Sequence, residues 1–117
     1  MQHNREQIVQ DICKIIEEKK GENIAVFNLK ETDYFVDFVI IATALIDKHA
    51  LALLDTLKKD LKQKGERFLN IEDENPEWIV ADLGDIIIHL FTESQRKKFN
   101  LEEFLAKIAN SNIQNTN

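Results

Sequence analysis

The chain reads as an α/β domain, a mixed sheet of about five strands with helices packed over it. Three observations predict this. Apolar residues recur at three- and four-residue steps in three stretches, Ile8 to Ile16, Ala50 to Leu61 and Leu101 to Ile108. Between them lie short runs rich in β-branched and aromatic residues, each about as long as a strand. The two patterns interleave in the order helix, strand, strand, helix, strand, strand, strand, helix, as in layered α/β proteins rather than in separate all-α and all-β units.

The first helix is expected from Arg5 to Lys20, with Ile8, Val9, Ile12, Ile15 and Ile16 as its buried stripe, Lys19 and Lys20 in its last turn and Gly21 as its stop. Ile24 to Leu29 reads as a strand. Phe35 to Thr43 (FVDFVIIAT) is nearly continuous in apolar residues, which fits a central strand covered on both faces. Asp37 interrupts that run, at a cost unless it lies at the strand's mouth or is hydrogen-bonded. Asp47 is the expected N-cap of a long helix carrying Ala50, Leu53, Leu54, Leu57 and Leu61 inward, closed by Gly65.

Phe68 to Ile71 reads as a short strand, so strand, helix and strand are expected to form a right-handed crossover between parallel neighbours. The acidic loop Glu72 to Glu77 contains the only proline, Pro76. Trp78 to Asp82 and Ile86 to Phe91 then form an antiparallel hairpin turning at Leu83-Gly84, where glycine accepts a positive φ. Glu93 to Lys98 fits one helical turn. Asn100 is placed to cap a last helix carrying Leu101, Phe104, Leu105 and Ile108.

A length of 117 residues suits a single domain, taken as residues 1–109 with a flexible polar tail over 110–117. No apolar run approaches the ~18 residues that span a bilayer, and MQHNREQ is no signal peptide, so a cytoplasmic protein without membrane association is expected. The one cysteine, Cys13, lies within a helical apolar pattern and reads as a buried, inert thiol. With 15 Lys and Arg against 21 Asp and Glu the net charge is −6. The nearest basic run, Arg96-Lys97-Lys98, is too short to offset this, so sequence-specific nucleic-acid binding is disfavoured and a basic protein partner fits better.

Chemistry is sparse. His3, His49 and His89 are far apart and form no ligand-spaced pair. His89, mid-strand among isoleucines, reads as a structural histidine. His49, beside Lys48 near the C-terminal mouth of the central strand, is the better candidate for a functional surface. There is no phosphate-cradling glycine loop, and Ser94 and Ser111 lack the surroundings of a nucleophile. Asp82 and Asp85 flank Gly84 in one tight turn, where Asp is favoured for its local hydrogen bonds whatever the function. The same pair, with Asp37 from across the sheet, would be the carboxylate cluster of a small metal-dependent nucleotidyltransferase, but no donors for a triphosphate are visible. Trp78, the sole tryptophan, is either a core residue or the aromatic anchor of an interface, with Glu72, Asp73, Glu74 and Glu77 as an acidic rim that speeds encounter with a basic partner.

Three segments together resemble the ribosomal silencing factor family, also called the Iojap family. WIVADLGDIIIHLF matches that family's W-(I/V)-V-x-D-x-G-D core through Trp78, Asp82, Gly84 and Asp85, and its following histidine through His89. DFVIIATA, Asp37 to Ala44, resembles its D-Y-F-V-I-x-T-G strand, followed by Lys48-His49 where the family tends to have Arg-His or Arg-Gln. RKKFNLEEFL, Arg96 to Leu105, resembles R-x-x-Y-x-L-E-x-L-W. Phe38, Ala44, Phe99 and Leu105 depart from the pattern, standing for a tyrosine, a glycine, a tyrosine and a tryptophan.

The resemblance implies a nucleotidyltransferase-like fold without enzymatic activity, metal or cofactor. It also implies binding to a large-subunit ribosomal protein (L-fourteen) that blocks subunit joining and lowers translation when nutrients run short. The partner-binding residues expected on this reading are Trp78 and Val80 at the centre, Asp82, Gly84 and Asp85 around them, and Asp37, Lys48 and His49 extending the surface. An exposed apolar contact surface can also self-associate, so a homodimer of the free protein is a further expectation.

Overall fold

The computed structural model describes the backbone of residues 4–115 and the side chains of residues 4–110. Its elements are α1 (Arg5–Glu18), β1 (Glu22–Asn28), β2 (Phe38–Ala44), α2 (Asp47–Gln63), β3 (Asn70–Glu72), β4 (Trp78–Asp82), β5 (Ile86–Thr92), α3 (Glu93–Phe99) and α4 (Leu101–Asn115). The five strands form one mixed sheet in the order β1-β2-β5-β4-β3. β2 and β5 pair in parallel at its centre, and every other neighbouring pair is antiparallel.

Burial explains this order. All seven residues of β2 are buried, and β5 is nearly as apolar, so each needs a neighbour on both edges and cover on both faces. β3 is three residues long with Asn70 and Glu72 exposed, which suits an edge. The crossover expected between parallel neighbours is therefore corrected: β3 runs in the same direction as β2, but β5 and β4 stand between them. The expected hairpin is present as β4 and β5, with Trp78 opposite Phe91 and Asp82 opposite Ile87.

The alternation of β4 and β5 splits the core into two layers. Ile79, Ala81, Ile86, Ile88 and Leu90 pack with Phe38 and Ile40 against the stripes of α1 and α2. On the other face Val39, Ile41, Ile87 and Phe91 pack with Leu105 of α4, and Trp78 and Val80 lie at the margin of that cluster.

Several local expectations shift. α1 ends at Glu18, so Lys19 and Lys20 lie just beyond its last turn. Lys20, at φ 70°, holds the left-handed position while the N–H of Gly21 reaches the Ile16 carbonyl at 2.8 Å. Gly21 is needed there for space, because a Cβ would collide with the Ile16 side chain. Ile46, not Asp47, is the cap residue of α2, and Asp47 instead places its charge in the first turn. Asn100 has a left-handed conformation that closes α3, and its side-chain amide donates to the Glu103 carboxylate at 2.6 Å instead of capping α4 as an acceptor. β2 starts only at Phe38, because Phe35 is 73% exposed, and Asp37 therefore stands outside the strand in solvent. α4 reaches Asn115; within the polar tail expected from residue 110, residues 116–117 lie outside the described residues.

Candidate docking surface

β4 presents alternate residues to the sheet face that α1 and α2 do not cover, so Trp78, Val80 and Asp82 share one side. Across the ladder their partners are Phe91, His89 and Ile87 on β5, and Glu72 and Asn70 stand opposite Val80 and Asp82 on β3. Trp78 is half-buried. Its indole stacks on Phe91 with centroids 4.9 Å apart and packs against Phe99 at 4.6 Å. Its Nε1–H donates to Nδ1 of His89 at 3.0 Å. Phe99, at the end of α3, remains 48% exposed and extends the aromatic surface outward.

Beside this ring lies a groove of about 590 Å³. Among the described residues it is lined by strand and loop, including Asn70, Glu72, Glu74, Asn75, Trp78 and Val80. Glu72, Asp73 and Glu74 are exposed at its rim. A groove with Trp78 and Val80 on one side and asparagine and acidic side chains around them is suited to a partner that brings an apolar side chain and flanking positive charge.

The remaining expected site residues are distributed over both ends of the sheet. The Oδ1 of Asp82 accepts the Gly84 N–H at 2.7 Å, an Asx turn, and Gly84 takes φ 101°. Asp85 turns toward α1, where the Arg5 guanidinium donates to both its oxygens at 2.7 and 2.9 Å and reaches Glu66 at 2.9 Å. Those two carboxylates raise the Arg5 pKa above its ordinary value. Asp37 is exposed, and its backbone N–H donates to the Asp85 carbonyl at 3.0 Å.

Lys48 and His49 stand at the opposite end, the end of Trp78, but on α2 and so over the other face. His49 accepts the Leu45 N–H on Nδ1 at 2.9 Å and meets the Lys19 carbonyl through Nε2 at 2.7 Å, bonds that the Nε2-protonated ring makes together. It fastens α2 to the end of α1.

The structure thus brings together Trp78, Val80 and Asp82, and not Asp37, Asp82 and Asp85 as side chains around one point. Among the described residues no three His, Cys, Asp or Glu side chains are grouped so as to hold a metal ion, and no helix is long and apolar enough to cross a membrane.

The contacts made by three contributors were not legible in the sequence. Arg5 sits in a polar N-terminal run with nothing to mark its partner. His89 was legible as structural, and burial does lower its pKa to about 4, but its bond to Trp78 depends on strand register. Arg96 donates to both oxygens of Glu102 at 2.8 and 3.0 Å, to the Asn23 carbonyl and to Thr43 Oγ1, tying α3 to α4, β1 and β2. That pairing depresses the Glu102 pKa.

The chain is similar to several known proteins along most of its length. The model of the family described as RsfS, ribosomal silencing factor during starvation, matches residues 2–117. The ribosomal silencing factor RsfS of Halalkalibacterium halodurans is 28% identical over 101 residues, covering 86% of each chain. The Iojap-related mitochondrial protein of Arabidopsis thaliana is 31% identical over 97 residues, which are 79% of this chain and 53% of that one. A crystal structure of a Chromobacterium violaceum protein superposes with a TM-score of 0.84 at 22% identity, covering 89% of this chain and 88% of its own. One from Bacillus halodurans gives 0.75 at 28% identity over 85% and 93%.

Proposed function

The chain belongs to the ribosomal silencing factor family, and from that premise we propose that it docks on the large ribosomal subunit through a basic protein, ribosomal protein L-fourteen. Docked there, it obstructs the small subunit sterically and lowers translation when nutrients are limiting. It acts by occupancy in the cytoplasm, not by catalysis, and needs no cofactor.

The observation that carries this reading is the position of Trp78, partly buried beside Val80 in a groove rimmed by Glu72, Asp73 and Glu74. Aromatic anchors in such settings dominate binding energy, and a chain of net charge −6 favours encounter with a basic protein. Asp82 and Gly84 hold the hairpin turn at one end of this surface, and Asp85 and Asp37 brace it from behind. Lys48 and His49 stand at the opposite end but on α2, over the other face, and reach a partner only if it wraps around that end of the sheet. In the free protein the same apolar surface pairs with a second copy, and that homodimer opens on docking.

The test is sedimentation of tagged protein with ribosomal fractions. Co-migration with free large subunits and exclusion from joined ribosomes is the expected result, and addition of the protein to purified subunits should reduce joining. Equal distribution between free and joined subunits would overturn the reading. Calorimetric titration with magnesium and nucleoside triphosphates should give no heat.

A further inference from the structure

The geometry points to His89 as a positioning residue for this docking surface: through its bare Nδ1 it fixes the plane and edge of the Trp78 indole, and docking depends on that bond. The inference rests on the docking reading above and adds to it a residue that lies behind the anchor.

Trp78 is packed by Phe91 and Phe99, with interplanar angles of 29° and 42°. Such packing resists tilting of the ring. It does not distinguish an indole from the same indole turned over, because both forms present a flat apolar face. The Nε1–H distinguishes them. In the observed orientation it donates to Nδ1 of His89 at 3.0 Å; turned over, it would leave a partly buried donor without that partner.

His89 is itself held, with its ring stacked on Phe91 at 5.9 Å and only 11° from parallel. It stands opposite Val80, diagonal to Trp78 on the same face. An imidazole among isoleucines carries a desolvation cost that a phenyl ring would not. Burial keeps the ring neutral, which preserves the Nδ1 lone pair the indole needs. A residue present only to fill that volume would need no acceptor.

The test exploits Trp78 being the sole tryptophan, so one indole N–H resonance and one fluorescence spectrum report on it alone. His89→Phe keeps an aromatic ring on Phe91 and removes the acceptor. His89→Asn places a carbonyl oxygen near the Nδ1 position. His89→Phe should shift the indole N–H resonance, hasten its exchange and weaken large-subunit binding about tenfold. His89→Asn should bring binding back to within about threefold of the parent.

An unchanged resonance and affinity in His89→Phe would overturn the inference, as would an equal loss in His89→Asn. Should His89→Phe fail to fold, the imidazole nitrogen spectrum of the unaltered protein at neutral pH decides. A bare Nδ1 with a protonated Nε2 supports the inference, and a protonated Nδ1 overturns it. Trp78→Ala separates the two readings. If that variant binds large subunits at full strength the docking surface is wrong, while the indole resonance of His89→Phe, which keeps Trp78, still judges whether His89 holds the ring.

Discussion

Arg5 and Asp85, 80 residues apart in sequence, meet through two parallel hydrogen bonds, Nε to Oδ2 at 2.7 Å and Nη2 to Oδ1 at 2.9 Å. This fork geometry clasps the first turn of α1 to the turn of the hairpin, and the free arm of the guanidinium reaches Glu66 beyond α2. Partial exposure screens the pair, but its bidentate form lifts it above an ordinary surface contact. Arg5→Ala should therefore lower stability by about 1–2 kcal/mol in urea unfolding. A double-mutant cycle with Asp85→Asn should show coupling of about 1 kcal/mol, and strictly additive effects would mean that the clasp contributes nothing.

Trp78→Ala should weaken large-subunit binding by ~2 kcal/mol or more, with Phe99→Ala costing less because Phe99 lies further out. Quantitative co-sedimentation of the two variants measures both. Far-ultraviolet circular dichroism confirms that each remains folded.

Stability should fall on mild acidification. Burial lowers the His89 pKa from 6.5 to about 4, so above pH 6.5 the imidazole is neutral whether the chain is folded or not, and the full stability is present. As pH drops from 6.5 toward 4 the unfolded chain binds a proton that the folded one refuses, and about 3 kcal/mol is lost across that window. Glu102, depressed by its bonds to Arg96, adds a loss of the same sign when its folded-state pKa is passed at lower pH. Urea unfolding across the window should show this slope in the parent protein and a flatter one in His89→Phe.

Gly84→Ala should destabilise by about 1–2 kcal/mol. The backbone there has φ 101°, outside the range an alanine adopts without strain, and a Cβ would stand 3.2 Å from Leu69 Cδ1. Unfolding midpoints of the variant and parent compare directly, and an unchanged midpoint would show that the turn relaxes at no cost.

Much of the fold was legible because local pattern and final burial agree. The stripes of α1 and α2 follow from a period of 3.6, the fully buried β2 from its nearly unbroken apolar run, and the β4-β5 hairpin from two strand-length runs and one glycine. The parallel partner of β2 was not legible, since periodicity says which faces are apolar and not which strands are adjacent. Apolar length was the available clue, since β5 alone matches β2 in it; the exposed Asn70 and Glu72 that make β3 an edge lie in a strand displaced from the expected Phe68 to Ile71. At the proposed docking surface the side on which Trp78, Val80 and Asp82 lie follows from alternation. The diversion of Asp85 to Arg5 and the bond from Trp78 to His89 depend on register and long-range packing, which no local pattern encodes.

The parallel pairing of β2 with β5 bears on how the chain is made. Phe38 meets Ile86 and Ala44 meets Thr92, so the middle of the sheet cannot close until the chain has been made through Thr92. Until then FVIIATA has only β1 to shelter one of its edges, and the growing chain carries a bare, sticky strand. A sheet closed by so non-local a pairing forms slowly and leaves β2 open to aggregation until β5 arrives.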